Sequence, residues 1–306
     1  MVTEEAAGRG PFIFVGESEF LRRRVDLNFR AMGPEGFTMR TVGRDLVLAG
    51  GRQRGTMYAV YTFLDEKLGC RWFSSKVSQI PAQDDIRFAP FEVTFRPKLE
   101  YREPFYTDAF DADYAARNRA NSSSARLGPE RGGRVQYSHF VHTFYDLLPP
   151  AEFFAAHPEY FSEINGQRTA DHAQLCLTNP AVLRIATERV RRWIAEAPEA
   201  NIYSVSQNDW HGWCTCPNCA ALDEREGSHS GTVLNFANSI AEAIERDHPD
   251  KAIDTLAYQY TRKPPKTIRP RPNVIVRLCS IECCFAHPLE SCPVNASFRS
   301  DIVGWS

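Results

Sequence analysis

The sequence predicts an α/β protein in which a small N-terminal α/β domain precedes a partial (β/α)₈ TIM-type barrel of about six strands. From Leu99 onward, strand-length apolar segments alternate with segments of helical periodicity. The residues before that point indicate a strand, a hairpin, a helix and a returning strand. The 306 residues, of which 43% are hydrophobic, are enough for two cores. We therefore place the first domain at residues 1–93 and the barrel domain at residues 98–306.

The first domain is predicted from five consecutive segments. Residues 11–15 form a short apolar strand, and residues 36–42 and 46–49 form a hairpin around a glycine-containing turn. Apolar residues at helical spacing predict a helix over residues 57–68, which a glycine ends. Residues 70–73 are then predicted to return to the sheet, and three prolines mark the passage to the second domain.

The second domain is predicted from six strands and two strong helices. Asn179 and Pro180 begin one helix, and the other contains Val233–Ile244 and ends before Pro249. Six strands are two fewer than a closed barrel needs, and such barrels have about 250 residues. Residues 298–306 indicate an interrupted helix, so we expect a fragment truncated at its C-terminus. The predicted strands are 99–105, 134–140, 173–177, 201–206, 253–258 and 273–279.

Composition excludes several functional classes. The 36 Lys and Arg residues balance 38 Asp and Glu residues, which argues against binding nucleic acid through bulk positive charge. No apolar run approaches the about 20 residues of a membrane span. The first residues lack the apolar core of a signal peptide. We therefore expect a soluble protein, and the sequence leaves its compartment open.

The end of the fourth barrel strand carries the first candidate site. Asn208, Asp209 and Trp210 follow an apolar strand, and barrel enzymes place reactive groups at this edge. Asp209 is a candidate catalytic acid, base or orienting group. Asn208 can hydrogen-bond a hydroxyl or acetamide, and Trp210 or Trp213 can stack on a sugar. The alternative is that Asp209 only stabilises a turn.

The sixth strand delivers a second carboxylate, Glu282, at the same edge. Glycoside hydrolysis needs two groups of this kind, and Glu282 is predicted to pair with Asp209 across the barrel mouth. Because Glu282 enters a loop rich in Cys and Phe, we expect it to be desolvated and to act as the general acid. The alternative is a surface glutamate in a loop.

Further polar and aromatic residues follow other predicted strands and are candidate substrate ligands. His139 and His142 have the spacing of a clamp, although such pairs are more often part of hydrogen-bonded structure. Tyr258 can line the cleft or fill the barrel core. The full set of these candidates is Arg102, Glu103, His139, His142, Tyr258 and Tyr260.

Three of the nine cysteines, Cys214, Cys216 and Cys219, have a spacing that can close on one metal ion. A structural zinc needs four ligands, so the fourth has to come from His211, His229 or a distant cysteine such as Cys279. The alternatives are three reduced thiols, or one disulfide and one free thiol. Structural zinc is the one metal that we predict, and catalysis is expected to require no cofactor.

The chain also resembles known families. One stretch of residues 55–73 is similar to the non-catalytic α/β domain that precedes the barrel in bacterial α-glucuronidases and β-hexosaminidases. The rest resembles a large bacterial family of unknown function placed among glycoside hydrolases, some members of which are similar to endo-β-N-acetylglucosaminidases acting on N-glycans. The resemblance implies a substrate-assisted retaining mechanism and exported full-length relatives. The motifs are Gly55-Thr-x-Tyr58-Ala-x-Tyr61-x-Phe63-Leu64, Leu68-Gly-Cys-Arg-Trp-Phe73, His157-Pro-Glu-Tyr-Phe161, Asn165-Gly-x-Arg168, Gln174-Leu-Cys-Leu-Thr-Asn-Pro180, Ser206-Gln-Asn-Asp209 and Cys214-x-Cys-Pro-x-Cys219.

These observations predict a glycoside hydrolase that acts on a complex, N-acetylhexosamine-containing glycan. One rival is a catalytically inactive carbohydrate-binding protein on the same fold. The other is a zinc-dependent interaction module. The convergence of Asp209 and Glu282 at one site distinguishes hydrolysis from binding alone.

Overall fold

A computed structural model describes residues 10–306, apart from the side chain of Phe20. The chain divides into two compact units, one ending at Val135 and one spanning Gln136–Ser306. The sequence predicts the boundary between the two domains earlier, at residues 93–98.

The first unit is built on a four-stranded mixed sheet. Its strand order is β1-β3-β2-β6, with β1 parallel to β3 and the other pairs antiparallel. Gly43, at φ +60°, makes the predicted β2–β3 turn, where glycine meets no Cβ penalty. The strands are β1 (Ile13–Val15), β2 (Phe37–Val42), β3 (Asp45–Gly50), β4 (Arg71–Trp72), β5 (Ser78–Gln79) and β6 (Glu92–Phe95).

One long helix covers this sheet. It buries Tyr58 and Phe63 against Phe37 and Met39, which confirms the predicted hairpin and helix. The predicted strand at residues 70–73 does form, but it pairs with β5 in a separate ribbon and does not join the sheet. The helices of this unit are α1 (Glu19–Arg24), α2 (Phe29–Met32), α3 (Gly55–Glu66) and α4 (Ala112–Arg117).

The strand predicted at residues 99–105 is absent. The backbone N–H of Arg102 donates to Asn121 Oδ1 at 2.9 Å, and the Asn121 side chain donates to the Glu100 carbonyl at 2.7 Å. A side chain therefore satisfies the backbone groups that a strand ladder would use. Arg102 and Glu103, predicted as strand-end substrate ligands, consequently do not follow a strand.

The second unit is built on a three-stranded parallel sheet. The order is β11-β10-β9, and Tyr137 forms one additional parallel bridge to Ile202 of β9. Three of the six predicted strands therefore form, and the segment 134–140 contributes a single bridge. The strands of this unit are β7 (Glu163–Ile164), β8 (Gln167–Arg168), β9 (Ile202–Ser204), β10 (Ala252–Ala257) and β11 (Val274–Leu278).

The predicted strand at residues 173–177 is not part of this sheet. Its backbone bonds to residues 160–162 and to Gly212, and Leu175 forms one antiparallel bridge with Phe161. These bonds use the groups that a parallel neighbour would need. Within residues 10–306 the strands form an open α/β sheet and no closed barrel.

Helices cover the parallel sheet. The Asn179 side chain caps one of them through the N–H of Ala181, with Pro180 at its first position, as predicted. Trp193 and Phe236 belong to the core shared by two long helices and the sheet. The helices are α5 (Phe144–Leu147), α6 (Pro150–Phe153), α7 (Pro180–Glu196), α8 (Pro217–Glu226), α9 (Ser230–Glu245) and α10 (Ala296–Trp305). Among the described helices, none has the length and apolarity that a bilayer crossing requires.

Candidate functional site at the carboxyl edge of the parallel sheet

Polar side chains of the second unit gather where its parallel strands end. The loop after β9 carries Asp209, the residue after β10 is Tyr258, and the loop after β11 carries Glu282. The segment after the Tyr137 bridge adds His142. Because parallel strands end at the same edge, their following loops lie side by side, which is where open α/β sheets bind ligands.

Asp209 lies at the centre of this edge. Its Oδ1 accepts a 3.0 Å hydrogen bond from the Tyr258 hydroxyl and lies 3.9 Å from Nε2 of His142. Its side chain is 58% exposed, so the carboxylate remains accessible. Desolvation and the hydrogen bond to Asp209 raise the pKa of Tyr258, and the charge of Glu282 acts in the same direction. Asp209 and Glu282 therefore both raise the pKa of the Tyr258 phenol.

The backbone holds the His142 ring in a defined orientation. Its Nδ1 lies 2.8 Å from the Gln207 carbonyl, an atom that can only accept, so Nδ1 carries the proton in the neutral ring. Its other ring nitrogen, Nε2, is the one that lies 3.9 Å from Asp209 Oδ1. His142 has φ +59° and its N–H donates to Ser206 Oγ at 2.9 Å. A left-handed backbone at a non-glycine residue costs free energy, and such residues occur preferentially at functional sites.

The buried side-chain amide of Gln207 holds the backbone that carries the Tyr258 phenol. Gln207 donates through Nε2 to the Tyr258 carbonyl at 2.9 Å and accepts at Oε1 from Thr261 at 2.7 Å. Gln259, also at positive φ, donates to the Tyr258 hydroxyl at 3.1 Å. The two Gln207 hydrogen bonds thus fix the β10 end relative to the loop after β9.

Asn208 and Trp210 stabilise the loop and do not face a ligand. Asn208 is 3% exposed, and its amide donates to the Ala173 carbonyl and accepts from the N–H of Tyr145. The Trp210 indole N–H donates to the same carbonyl at 2.6 Å. The sequence predicted that Asn208 binds a hydroxyl or acetamide, and that prediction is wrong because backbone groups use its amide.

Glu282 is less buried than the sequence suggested. Its side chain is 49% exposed, and its Oε2 accepts from Arg262 Nη1 at 2.8 Å. Arg262 also pairs with Asp301 at 2.6 Å and donates to Ser297. The neighbouring apolar residue Phe285 points to solvent, so the loop does not desolvate the carboxylate. The expectation of a desolvated acid is therefore wrong.

A cavity of about 570 Å³ opens beside the end of β10. Tyr260 stacks on Trp213 with ring centroids 5.3 Å apart, and burial raises the pKa of Tyr260. His229 lies 4.3 Å from the Trp213 ring, and its Nδ1 lies 2.6 Å from Oδ2 of Asp223. The sequence gives no sign of this His–Asp pair, because the five residues between Asp223 and His229 span a helix end and carry no motif.

The remaining predicted ligands lie elsewhere. His139 lies flat on the buried Trp193 at a centroid distance of 3.7 Å, and burial lowers its pKa. Arg102 pairs with the buried Glu35 of the first unit at 2.9 Å. Glu103, in the same unit, accepts from the hydroxyls of Tyr101 and Ser124. These contacts account for all three side chains structurally.

A buried carboxylate lies within the sheet. Asp254 of β10 is fully buried and accepts from Ser204 at 3.0 Å and Tyr137 at 3.1 Å. Arg277 of β11 lies 3.7 Å away and donates to the Tyr137 hydroxyl. Desolvation raises the pKa of Asp254 to about 6, although Arg277 opposes the shift. No sequence motif distinguishes this residue from an ordinary strand position.

Four buried thiols converge beside the edge. Cys176 joins the predicted Cys214, Cys216 and Cys219, and all four Sγ atoms lie within 4.8 Å of one another. Cys176 Sγ lies 3.6 Å from that of Cys216 and 3.9 Å from that of Cys219. Four sulfurs at 2.3 Å around a tetrahedral ion would be about 3.8 Å apart. All four are free thiols.

Cys176 completes the four-cysteine group, so the fourth candidate ligand is a distant cysteine, one of the predicted alternatives, although it is Cys176 and not Cys279, His211 or His229. Hydrogen bonds from Cys214 and Cys219 lower the pKa of Cys176, while Cys176 and burial raise that of Cys219. Arg168 lies 3.6 Å from Cys214 Sγ, a cation that favours thiolate. Cys176 lies in a segment that sequence reasoning treated as a strand, which hid its role.

The second unit thus defines a parallel α/β protein with a carboxylate-bearing strand edge next to a four-cysteine group. The chain belongs to the family described as "Domain of unknown function (DUF4838)", whose profile matches residues 72–306. This match confirms the expected membership of a family of unknown function. No curated protein matches the chain.

Proposed function

We propose that this protein is a glycoside hydrolase whose site is the carboxyl edge of the parallel sheet, within a partial TIM-type barrel. The observation that carries the proposal is Asp209, an exposed carboxylate that accepts from Tyr258 and lies 3.9 Å from His142 Nε2. Glu282 follows β11, which is separated from β9 by β10 in the sheet, and it lies at the same edge. Two acidic groups at one edge are what glycosidic cleavage requires.

The substrate is a complex glycan that contains N-acetylhexosamine. The adjoining cavity supports this choice, because its about 570 Å³ lies within the range of small-ligand sites. Trp213 and Tyr260 offer aromatic surface there, and Asp223 and His229 offer polar groups. Asp209 orients the acetamide or a hydroxyl, and Glu282 protonates the leaving oxygen once glycan binding separates it from Arg262.

Substitution of the two carboxylates tests the proposal. Glu282→Gln should cut turnover of unactivated glycans about 10²–10⁴-fold, and activated aryl glycosides should be less affected. Asp209→Asn should slow both kinds of substrate alike. Glu290→Gln, an exposed glutamate on the same loop, is the matched control and should retain the parent rate. Full activity in both variants would place the site elsewhere.

A catalytically inactive carbohydrate-binding protein is the second candidate. The ion pair between Arg262 and Glu282 favours it, because the guanidinium occupies the carboxylate that would have to contact the glycosidic oxygen. Calorimetric titration with N-glycan oligosaccharides separates the two candidates. Binding that survives Glu282→Gln, with no product from the parent protein, would replace hydrolysis by recognition.

We also propose that the four-cysteine group holds a structural zinc ion. Four thiolates at tetrahedral spacing form a closed site with no position for substrate, and their burial argues against an exposed interaction module. Chelation of the reduced protein should lower its melting temperature, and Cys176→Ser should do the same and release one zinc equivalent. Cys279→Ser is the control, because Cys279 lies outside the group. Unchanged zinc content in Cys176→Ser would overturn the assignment.

A further inference from the structure

A second set of metal-ligand side chains lies in the loop after β11. The ligand atoms of Cys284, His287 and Cys292 all lie within 4.8 Å of one another, and none of these residues belongs to the four-cysteine group. Cys284 Sγ lies 3.1 Å from His287 Nδ1. Both cysteines are free thiols. Two thiols and an imidazole therefore converge within nine residues of the chain.

The loop is held in the shape that brings these ligands together. Asn295, which is fully buried, accepts from the Cys284 N–H at 2.7 Å and donates to the Cys284 carbonyl at 3.1 Å. The Cys292 N–H bonds to the Pro288 carbonyl, and Arg299 donates to the Cys292 carbonyl at 2.8 Å. These backbone contacts fix both cysteines independently of the contact between Cys284 Sγ and His287.

We propose that Cys284, His287 and Cys292 bind a second zinc ion, with solvent in the fourth position. Thiolate and imidazole donors select Zn²⁺ over Mg²⁺ or Ca²⁺, which take oxygen ligands. Cys292 is buried and His287 is exposed, so the site is closed on one side and open to solvent on the other. Three protein ligands and one open position differ from the closed four-cysteine group.

The position of the site gives it a role beyond local stability. Glu282 lies two residues before Cys284, and Arg262 connects Glu282 to Asp301 of α10. Asn295 and Arg299 join the ligand loop to the start of the same helix. Metal at this site would therefore set the position of the loop that presents Glu282. This consequence rests on the proposed function, whereas the metal site itself does not.

Zinc titration of reduced, metal-free protein against a chromogenic chelator tests the site. The parent protein should bind one equivalent more than His287→Ala, whether or not the four-cysteine group is filled. His287 is exposed, so its truncation leaves the fold intact. Cys279→Ser should match the parent. With Co²⁺, the sulfur-to-metal charge-transfer absorbance per chain should fall in Cys284→Ser.

Two results would overturn the proposal. One is equal zinc stoichiometry in the parent, His287→Ala and Cys292→Ser. The other is a Cys284–Cys292 disulfide, found by peptide mapping of protein isolated without reductant, because oxidised sulfurs do not bind zinc. Neither result depends on glycan hydrolysis, so failure of this proposal and failure of the proposed function remain distinguishable.

Discussion

The loops that follow β9 and β11 each present a carboxylate at the same edge of the sheet, but they are held by opposite means. In the β9 loop, Ser206, Gln207 and Asn208 are buried and their side chains bond to backbone and neighbouring groups. In the β11 loop, Ile281 and Phe285 are exposed, and Glu282 is held by an ion pair with Arg262.

This difference determines how firmly each loop holds its carboxylate. Removing one partner of a buried amide hydrogen bond lowers the stability of the protein considerably, and salt does not screen such a bond. An exposed ion pair contributes little and weakens with ionic strength. Asp209 is therefore the more firmly held of the two carboxylates, and Glu282 is the one that is displaced more easily.

The largest effect is expected from Asn208→Ala. Removal of the amide takes the Asn208 acceptor from the Tyr145 N–H and one of two donors from the Ala173 carbonyl, which keeps the Trp210 indole. We expect the free energy of unfolding to fall by about 2–4 kcal/mol. Urea denaturation followed by circular dichroism measures this change. Asn218→Ala on the exposed face of α8 is the control, and an equal loss in both variants would refute the rigid β9 loop.

The stability of Glu226→Gln as a function of pH tests the buried contacts that follow the β9 loop. Glu226, the last residue of α8, is fully buried and accepts from the N–H and hydroxyl of Thr267 and the N–H of Ile268. The Thr267 bonds lower the pKa of Glu226 to about 2, below the usual 4.5. Its stabilisation is therefore present above pH 4.5 and is lost as pH falls from 4.5 through about 2.

Glu226→Gln should consequently cost about 1.5–3 kcal/mol at pH 7 and flatten the acid limb of the stability profile. Thermal melts between pH 2.5 and 7 measure this dependence. Glu224→Gln changes the same charge at an exposed position of the same helix and should follow the parent protein. An acid limb as steep in Glu226→Gln as in the parent would assign the pH dependence to another group.

The smallest effect on stability is expected from Glu282→Gln. Its exposed pair with Arg262 should contribute below about 1 kcal/mol, and the difference from the parent should shrink as salt is raised. Urea denaturation at low and high salt measures it, with Glu290→Gln as the reference. A salt-independent loss above 2 kcal/mol would make the β11 loop as rigid as the β9 loop.

Local patterns predicted the elements that depend on local interactions. Periodicity and capping placed the helix after Asn179 and the hairpin around Gly43, because each is specified by neighbours in sequence. Long-range hydrogen bonds decided the failures. Asn121 replaces the strand predicted at residues 99–105, and no pattern in that segment reveals a partner 19 residues later.

The candidate site shows the same difference between local and long-range interactions. The positions of Asp209 and Glu282 after strands could be predicted because strand ends can be recognised in the sequence. The role of Asn208 could not, because its type fits both a ligand contact and a buried support. Cys176 escaped prediction because its partners lie 40 and 43 residues away, beyond a helix and a strand.

The four-cysteine group has a consequence for the order in which the chain assembles. Cys176 precedes α7 and the other three cysteines follow β9, so the group closes a loop around one helix and one strand. Pairing of β9 with β10 needs a further crossover through α8 and α9, which costs more chain entropy. Under the proposed zinc assignment, a chain that meets zinc during synthesis would secure β9 before β10 has emerged, and metal supply at that moment would govern its yield of folded protein.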